Sequence, residues 1–241
     1  MTTPITFYTA PTPNGRKVSI ALEEMGLPYE PHFIDILAGD QHKPEFLKLN
    51  PNNKLPVIVD PDGPDNERFV LWESGAILWY LAEKTGKFLP KTGPDRHHVH
   101  QWLMFQMANV GPACGQFGHF FFYAKEKHPY SIERFAKEVD RQMALMDRHM
   151  ADREWFAGDA FSIADIAIFP WIAVLLDNPD MQPRPNLKSW GGRMMSRAGV
   201  ASGMAVSIEN VRPEIVEGGH QGFNDEHREQ LFGNAQYERN Q

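Results

Sequence analysis

The sequence changes its pattern abruptly at Phe88-Leu89-Pro90-Lys91-Thr92-Gly93-Pro94, and that change limits the possible folds more than any other feature. Before it, short strand-like and helix-like segments alternate; after it, only helical periodicity remains. Ile5 to Thr9 is rich in β-branched and aromatic residues and stops at the turn signal Ala10-Pro11-Thr12-Pro13-Asn14-Gly15. Val18, Ala21, Leu22 and Met25 then recur at helical spacing, and Gly26 closes that helix. Tyr29 to Ile36, Val57 to Val59 and Phe69 to Trp72 read as further strands, Pro44 to Leu49 as a short helix, and Ser74 to Lys84 as a helix ending at Gly86. The order is β-α-β-α-β-β-α. A crossover helix joins the first two strands, so they are expected to be parallel.

Beyond the break, helical patterns run from Arg96 to Phe122, Ser131 to Arg153, Ser162 to Leu176, Asn186 to Arg197 and Val200 to Ile208. The expected organisation is an α/β unit over residues 1–88, a linker over 89–95, an all-α unit over 96–211 and a polar tail over 212–241. The tail has no sustained periodicity and is expected to be mobile or to drape over the surface. Ser162-Ile163-Ala164-Asp165 has the form of a capping box, with Phe161 and Ile166 placed as a hydrophobic staple. Pro170 should kink the helix that follows.

The chain has 241 residues, a net charge of −7 and a single cysteine. That length buries a core without staples. The charge gives no basic stripe for nucleic acid. One cysteine excludes an internal disulfide framework and a Cys-based zinc site. The apolar run from Ile166 to Leu176 is too short to span a membrane, and the N-terminus lacks the form of a secretion signal. A cytoplasmic protein is expected.

Three clusters in the first unit carry candidate chemistry. Thr12-Pro13-Asn14-Gly15-Arg16-Lys17 sits where the first strand hands over to the first helix. The free amides of a helix start favour an anion there, and Thr12 and Asn14 add side-chain donors. As a structural alternative, Asn14 is an N-cap and Pro13 a turn former. Asn52-Asn53-Lys54-Leu55-Pro56-Val57 places an X-Pro bond before a short strand. A cis bond there would turn the Leu55 backbone outward to pair with an extended peptide; the alternative is a strand-entry proline. Trp72-Glu73-Ser74-Gly75-Ala76-Ile77 offers Ser74 as a helix cap and Glu73 as a carboxylate for an ammonium group.

The order and spacing of these clusters resemble the cytosolic glutathione transferases over residues 4 to 210: a thioredoxin-like N-terminal domain followed by an all-α domain. Thr12 to Val18, Pro44-Glu45-Phe46-Leu47, Asn50 to Pro56 and Glu73 to Ile77 are similar to the nu class, a bacterial group related to the Ure2-type proteins and active as glutathione-dependent disulfide-bond oxidoreductases. The resemblance implies that Glu73 and Ser74 hold the γ-glutamyl end of glutathione, and that Leu55 beside a cis Pro56 pairs with the cysteinyl backbone. It also implies that Gln41 and Lys54 reach the glycyl end and that Thr12 and Asn14 face the sulfur. Arg134 matches an arginine that helps bind a second glutathione in the dimers of that class. It further implies a homodimer that uses glutathione as co-substrate, without a metal, to reduce small disulfides or organic hydroperoxides.

Departures from the wider family narrow the chemistry. Tyr8 lies inside the strand, no serine occupies the turn, and the turn has no cysteine. Cys114 is far along the chain in a helical segment and reads as a buried bystander, so any redox activity uses the sulfurs of glutathione. A free thiol with a pKa near 8.5 is only about 3% thiolate at pH 7. Lowering that pKa by roughly two units requires about 2.7 kcal/mol of differential stabilisation. A helix N-terminus and one or two hydrogen bonds are together of that order, so Thr12 and Asn14 act as stabilisers and not as bases. Gly115 to Tyr123 packs five aromatics around His119, for a substrate pocket or for core and interface packing. His97, His98 and His100 do not share a helical face and are assigned no metal. Rival readings are glutathione-dependent ether cleavage or conjugation, and a non-catalytic regulator of the same fold.

Overall fold

The computed structural model describes residues 3–176, 182–206 and 223–236. Strand β1 (Ile5–Thr9) leads through Ala10 to Thr12 into helix α1 (Pro13–Met25). Gly26 closes α1 in the left-handed conformation at φ 69°, which only glycine adopts without cost. Strand β2 (Tyr29–Phe33), short helix α2 (Pro44–Leu47), strands β3 (Val57–Asp60) and β4 (Phe69–Trp72) and helix α3 (Ser74–Thr85) complete the first unit.

The sheet order is β2-β1-β3-β4, with β1 and β2 parallel and the other pairs antiparallel. Pro31, which has no N–H to give a ladder, sits on the edge strand β2. That strand stops at Phe33, three residues short of the sequence expectation, because its partner β1 ends at Thr9, the residue paired with Phe33.

The second unit contains α4 (Pro94–Phe105), α5 (Gly111–Gly118), α6 (Pro129–His149), α7 (Ile163–Leu176), α8 (Pro185–Met195) and α9 (Ala198–Ala205). The segment expected as one helix from Arg96 to Phe122 contains two π-helical turns, Gln106–Val110 and His119–Tyr123. The first has a local cause. Pro112 has no N–H and would crowd the carbonyl four residues back in a regular helix. The widened turn, closed by the Gly111 N–H on the Gln106 carbonyl, absorbs it. Helix α7 continues through Pro170. Ile208, the expected end of the last helix of this unit, lies outside the described residues.

The core is continuous across both units, and α1 lies at its centre. Its buried residues meet α3, α7 and α9 and share one apolar core with Ile5 and Phe7 of β1 and Ile58 of β3. The crossing with α9 is close because Gly203 has no side chain: a Cβ there would fall 2.4 Å from Ile20 Cα. Ser19 Oγ donates to the Gly203 carbonyl at 2.6 Å, and Arg197 pairs with Glu24 through two nitrogens. Met143 and Met146 are buried and Leu145 packs against them from the edge of the core.

The start of α7 contains a fully buried carboxylate. Asp165 Oδ2 accepts from the Ser162 N–H and hydroxyl, and Oδ1 accepts from the Phe156 N–H and Trp190 Nε1, all at 3.0 Å. Ser162 in turn accepts from the Ala164 N–H, and Phe161 and Ile166 are both buried. Burial holds the Asp165 carboxyl up at about 6 despite these four donors. Asp165→Asn replaces one acceptor by an NH2 group facing the Ser162 N–H, leaving buried donors unpaired at about 1–3 kcal/mol each. Urea denaturation should show a loss of about 2–4 kcal/mol; an unchanged midpoint with an unchanged slope would remove Asp165 from this role.

Candidate functional site

The junction of β1 and α1 forms the first wall of the site. Thr12 is the N-cap of α1: its Oγ1 accepts from the Gly15 N–H at 3.2 Å, and Pro13 takes the first helical position, where its missing N–H costs nothing. Gly15 allows the first turn to close on the strand, since a Cβ there would lie 2.4 Å from the Ala10 carbonyl oxygen. Asn14 is therefore inside the helix and does not cap it. Its Oδ1 accepts from Trp171 Nε1 on α7 at 3.0 Å. That bond fixes the amide orientation, so the NH2 end is the part of Asn14 left to donate elsewhere.

Asn14 lines a cavity of about 880 Å3 together with Lys54, Glu73, Gln106, Gly111, His119 and Trp171. Lys54 arrives on a loop organised by Asn50, whose side chain donates to the Lys54 carbonyl at 2.7 Å and accepts from the Asn52 N–H at 2.9 Å. The Leu55–Pro56 peptide bond is cis, and Pro56 is buried at the entry to β3. Glu73 is the N-cap of α3 without a side-chain cap, and its φ of 73° is unusual for any residue but glycine. Ser74 occupies the first position of α3 and does not cap it. Its hydroxyl is buried against Lys17 and Met107.

Gln41 is buried behind the site and does not border the cavity. Its Nε2 donates to the Ile36 and Gln230 carbonyls, each at 3.2 Å. Arg134 stands apart within the single chain, exposed on α6 beside Glu138 at 3.6 Å. Thr12, with its oxygen engaged at the cap, is likewise outside the cavity wall.

The polar tail contributes more than its composition indicated. Asn224 caps a helix α10 (Asp225–Phe232), its Oδ1 accepting from the His227 N–H at 2.8 Å. The helix is attached by Lys125 to Asp225 at 2.7 Å and by Arg228 Nε to the Tyr123 carbonyl at 2.8 Å. Phe232 packs its ring 4.7 Å from His119, and Gln236 Oε1 accepts from Lys54 Nζ at 2.8 Å. Leu231, Phe232 and Gln236 thereby close one side of the cavity.

Sequence reasoning also passed over Lys17, Gln106, Met107 and Trp171. Lys17 had a signal: it precedes Ile20 and Ala21 by three and four residues on the inward stripe of α1, where a solvated lysine does not belong.

His119 is on the cavity wall. Burial, with a smaller effect of Lys127, lowers its pKa and favours the neutral ring. Tyr8 packs near His32 and Phe46 and lines a separate small cavity, so its hydroxyl does not serve this site. His100 stacks on Trp79, and among the described residues no three His, Cys, Asp or Glu side chains form a metal-holding group.

Residues 12–84 match the family described as "Glutathione S-transferase, N-terminal domain", and residues 129–190 match "Glutathione S-transferase, C-terminal domain". The disulfide-bond oxidoreductase YfcG of Escherichia coli (strain K12) is 43% identical over 204 residues, covering 84% of this chain and 94% of the relative. This chain belongs to the glutathione S-transferase family. Among solved structures, a glutathione transferase from Pseudomonas putida with one glutathione disulfide bound per subunit superposes with a TM-score of 0.80 at 41% identity, covering 84% of this chain and 91% of that one. A family member from Pseudomonas fluorescens with two glutathione bound gives a TM-score of 0.78 at 43% identity, covering 83% and 92%.

Cys114, beside the cavity but not on its wall, is a partly buried thiol pushed up to about 12 by its surroundings. It stays protonated at neutral pH and is a poor nucleophile. Iodoacetamide at pH 8 should alkylate it in the native protein at least about tenfold more slowly than in the urea-unfolded chain. Equal rates would show the thiol to be open and reactive.

Proposed function

We propose that this transferase is a glutathione-dependent disulfide oxidoreductase that reduces small disulfides, with organic hydroperoxides as further substrates. One observation carries the reading: the Asn14 amide is oriented by Trp171 in the first turn of α1, on the wall of a cavity whose described lining includes no tyrosine and no cysteine. Such a site stabilises a bound thiolate without offering a protein thiol among its described lining residues. The names of YfcG and of the glutathione-bound neighbours support the same chemistry.

Glutathione supplies thiol–disulfide exchange: two thiols are oxidised to one disulfide while the substrate disulfide takes up two electrons and two protons and leaves as two thiols. The protein binds and orients. The start of α1 and the Asn14 NH2 group lower the thiol pKa by favouring the thiolate. Thr12 fixes the turn that sets Asn14 in place and keeps its own hydroxyl proton free to donate. The Leu55 backbone beside Pro56 pairs with the extended tripeptide, Glu73 and Ser74 receive its γ-glutamyl end, and Lys54 and Gln41 lie toward the glycyl end. A homodimer in the cytoplasm is part of this reading, and Arg134 then serves the cavity of a second subunit. Its exposure, with one weak ion pair among the described residues, supports that role.

Purified protein should reduce 2-hydroxyethyl disulfide in a glutathione-reductase-coupled assay. Asn14→Ala should lower kcat/KM about tenfold, the equivalent of one hydrogen bond to a charged group, with the fold intact by circular dichroism. An unchanged kcat/KM would refute its sulfur-facing role. Arg134→Ala should weaken binding of glutathione disulfide more than binding of glutathione, by calorimetry; small equal effects on both would take Arg134 out of the site. Activity only on an aryl ether, or on none of a disulfide, a hydroperoxide and an aryl ether, would favour the etherase or the regulatory reading respectively.

A further inference from the structure

Lys17 is fully buried, and among the described residues its ammonium meets only neutral groups. Nζ lies 2.5 Å from Gln106 Oε1, 3.2 Å from Ser74 Oγ and 3.4 Å from Met107 Sδ. Among the described residues no carboxylate touches it, and Glu73 acts on it only through space. An enclosed cation without a countercharge is among the most expensive things a protein can keep, and it is normally paired or replaced. The cost shows in the ammonium itself, which burial brings down to about 7. This one borders the large cavity.

The neighbours of Lys17 are arranged to hold it there. Gln106 belongs to the π-helical turn that accommodates Pro112, and with its oxygen given to Lys17 its Nε2 has no partner among the described residues. Gly75 leaves room for Met107, whose Cγ would be 3.0 Å from a Cβ at that position. The contact with Ser74 has a directional consequence. An ammonium only donates, so the Ser74 oxygen must accept from Lys17 and the hydroxyl proton must point elsewhere. Its only acceptor among the described residues is Met107 Sδ at 3.8 Å, a weak one. The first amides of α3 have no side-chain cap. Uncapped amides, an underused hydroxyl donor and an uncompensated positive charge therefore meet at one place, an arrangement that lacks only an anion.

We propose that Lys17 is the positioning residue for the α-carboxylate at the γ-glutamyl end of the tripeptide. It holds the Ser74 hydroxyl as a donor and supplies, from behind, the charge that this carboxylate neutralises. The inference rests on the glutathione reading above and adds a residue whose contribution passes through Ser74, not through direct contact.

The test compares glutathione with 4-aminobutyryl-cysteinyl-glycine, which keeps the ammonium and the thiol but lacks that carboxylate, by titration calorimetry. The unaltered protein should prefer glutathione by at least about tenfold, the size of a charge-assisted contact. Lys17→Met should weaken glutathione binding about tenfold and leave the analogue within about twofold, so that the preference collapses. Gln106→Glu keeps the size of the side chain and its contact with Nζ but gives the ammonium a countercharge; it should collapse the preference in the same way. If Lys17→Met does not fold, as judged by circular dichroism, the Gln106→Glu result decides. A retained preference, or equal weakening of both ligands, overturns the assignment while leaving the glutathione site intact. Binding of neither ligand by the unaltered protein overturns the functional reading itself, and this assignment with it.

Discussion

Helix α1 carries two obligations that few helices combine, and the remainder of the molecule is arranged around meeting both. Its apolar stripe must be sealed between the sheet and the helical unit, while its first turn must stay open to the cavity at Asn14. The close approach at Gly203 and the Ser19 hydroxyl bond press the middle of α1 against α9. The Arg197–Glu24 pair fixes its far end. With the helix body immobilised in this way, Thr12 and Gly15 set where the first turn begins, and Asn14 follows without freedom of its own. The chemistry at the mouth of the site is thus set by packing about one and a half to three turns away.

Two enclosed charges show how differently a fold treats a carboxylate it uses for architecture and a cation it keeps beside a cavity. Asp165 is surrounded by four donors, and its surroundings satisfy both oxygens. Lys17 is surrounded by acceptors that bear no charge. In the first case the protein solves its own electrostatic problem; in the second it leaves the problem unsolved, and a core built only for stability has no reason to do so.

Much of this was legible in the chain itself. The alternation up to Phe88, the turn at Ala10 to Gly15 and the helical patterns after Pro94 name the fold because each reflects a local preference that tertiary packing reinforces. The capping box at Ser162 was legible for the same reason. Lys17 and Gln106 were not assigned roles because their meaning lies in a contact 89 residues apart in sequence, which no local pattern encodes. The π-helical turns escaped because one extra residue in a helix barely alters its periodicity, although Pro112 gave a hint. Helix α10 escaped because it is short and polar and is held by partners from elsewhere, Tyr123, Lys125 and Gln41 among them. Its Asn224 cap and the acidic pair that follows were the only local marks.

The attachment of α10 alters what a binding measurement on this protein reports. Lys54 already donates a hydrogen bond to the Gln236 side-chain oxygen, and Gln41 already donates one to the Gln230 carbonyl. Any incoming group that claims these donors is therefore in a contest with another segment of the same chain. The apparent dissociation constant is then a ratio of two affinities, and its value is set partly by residues that never touch the ligand.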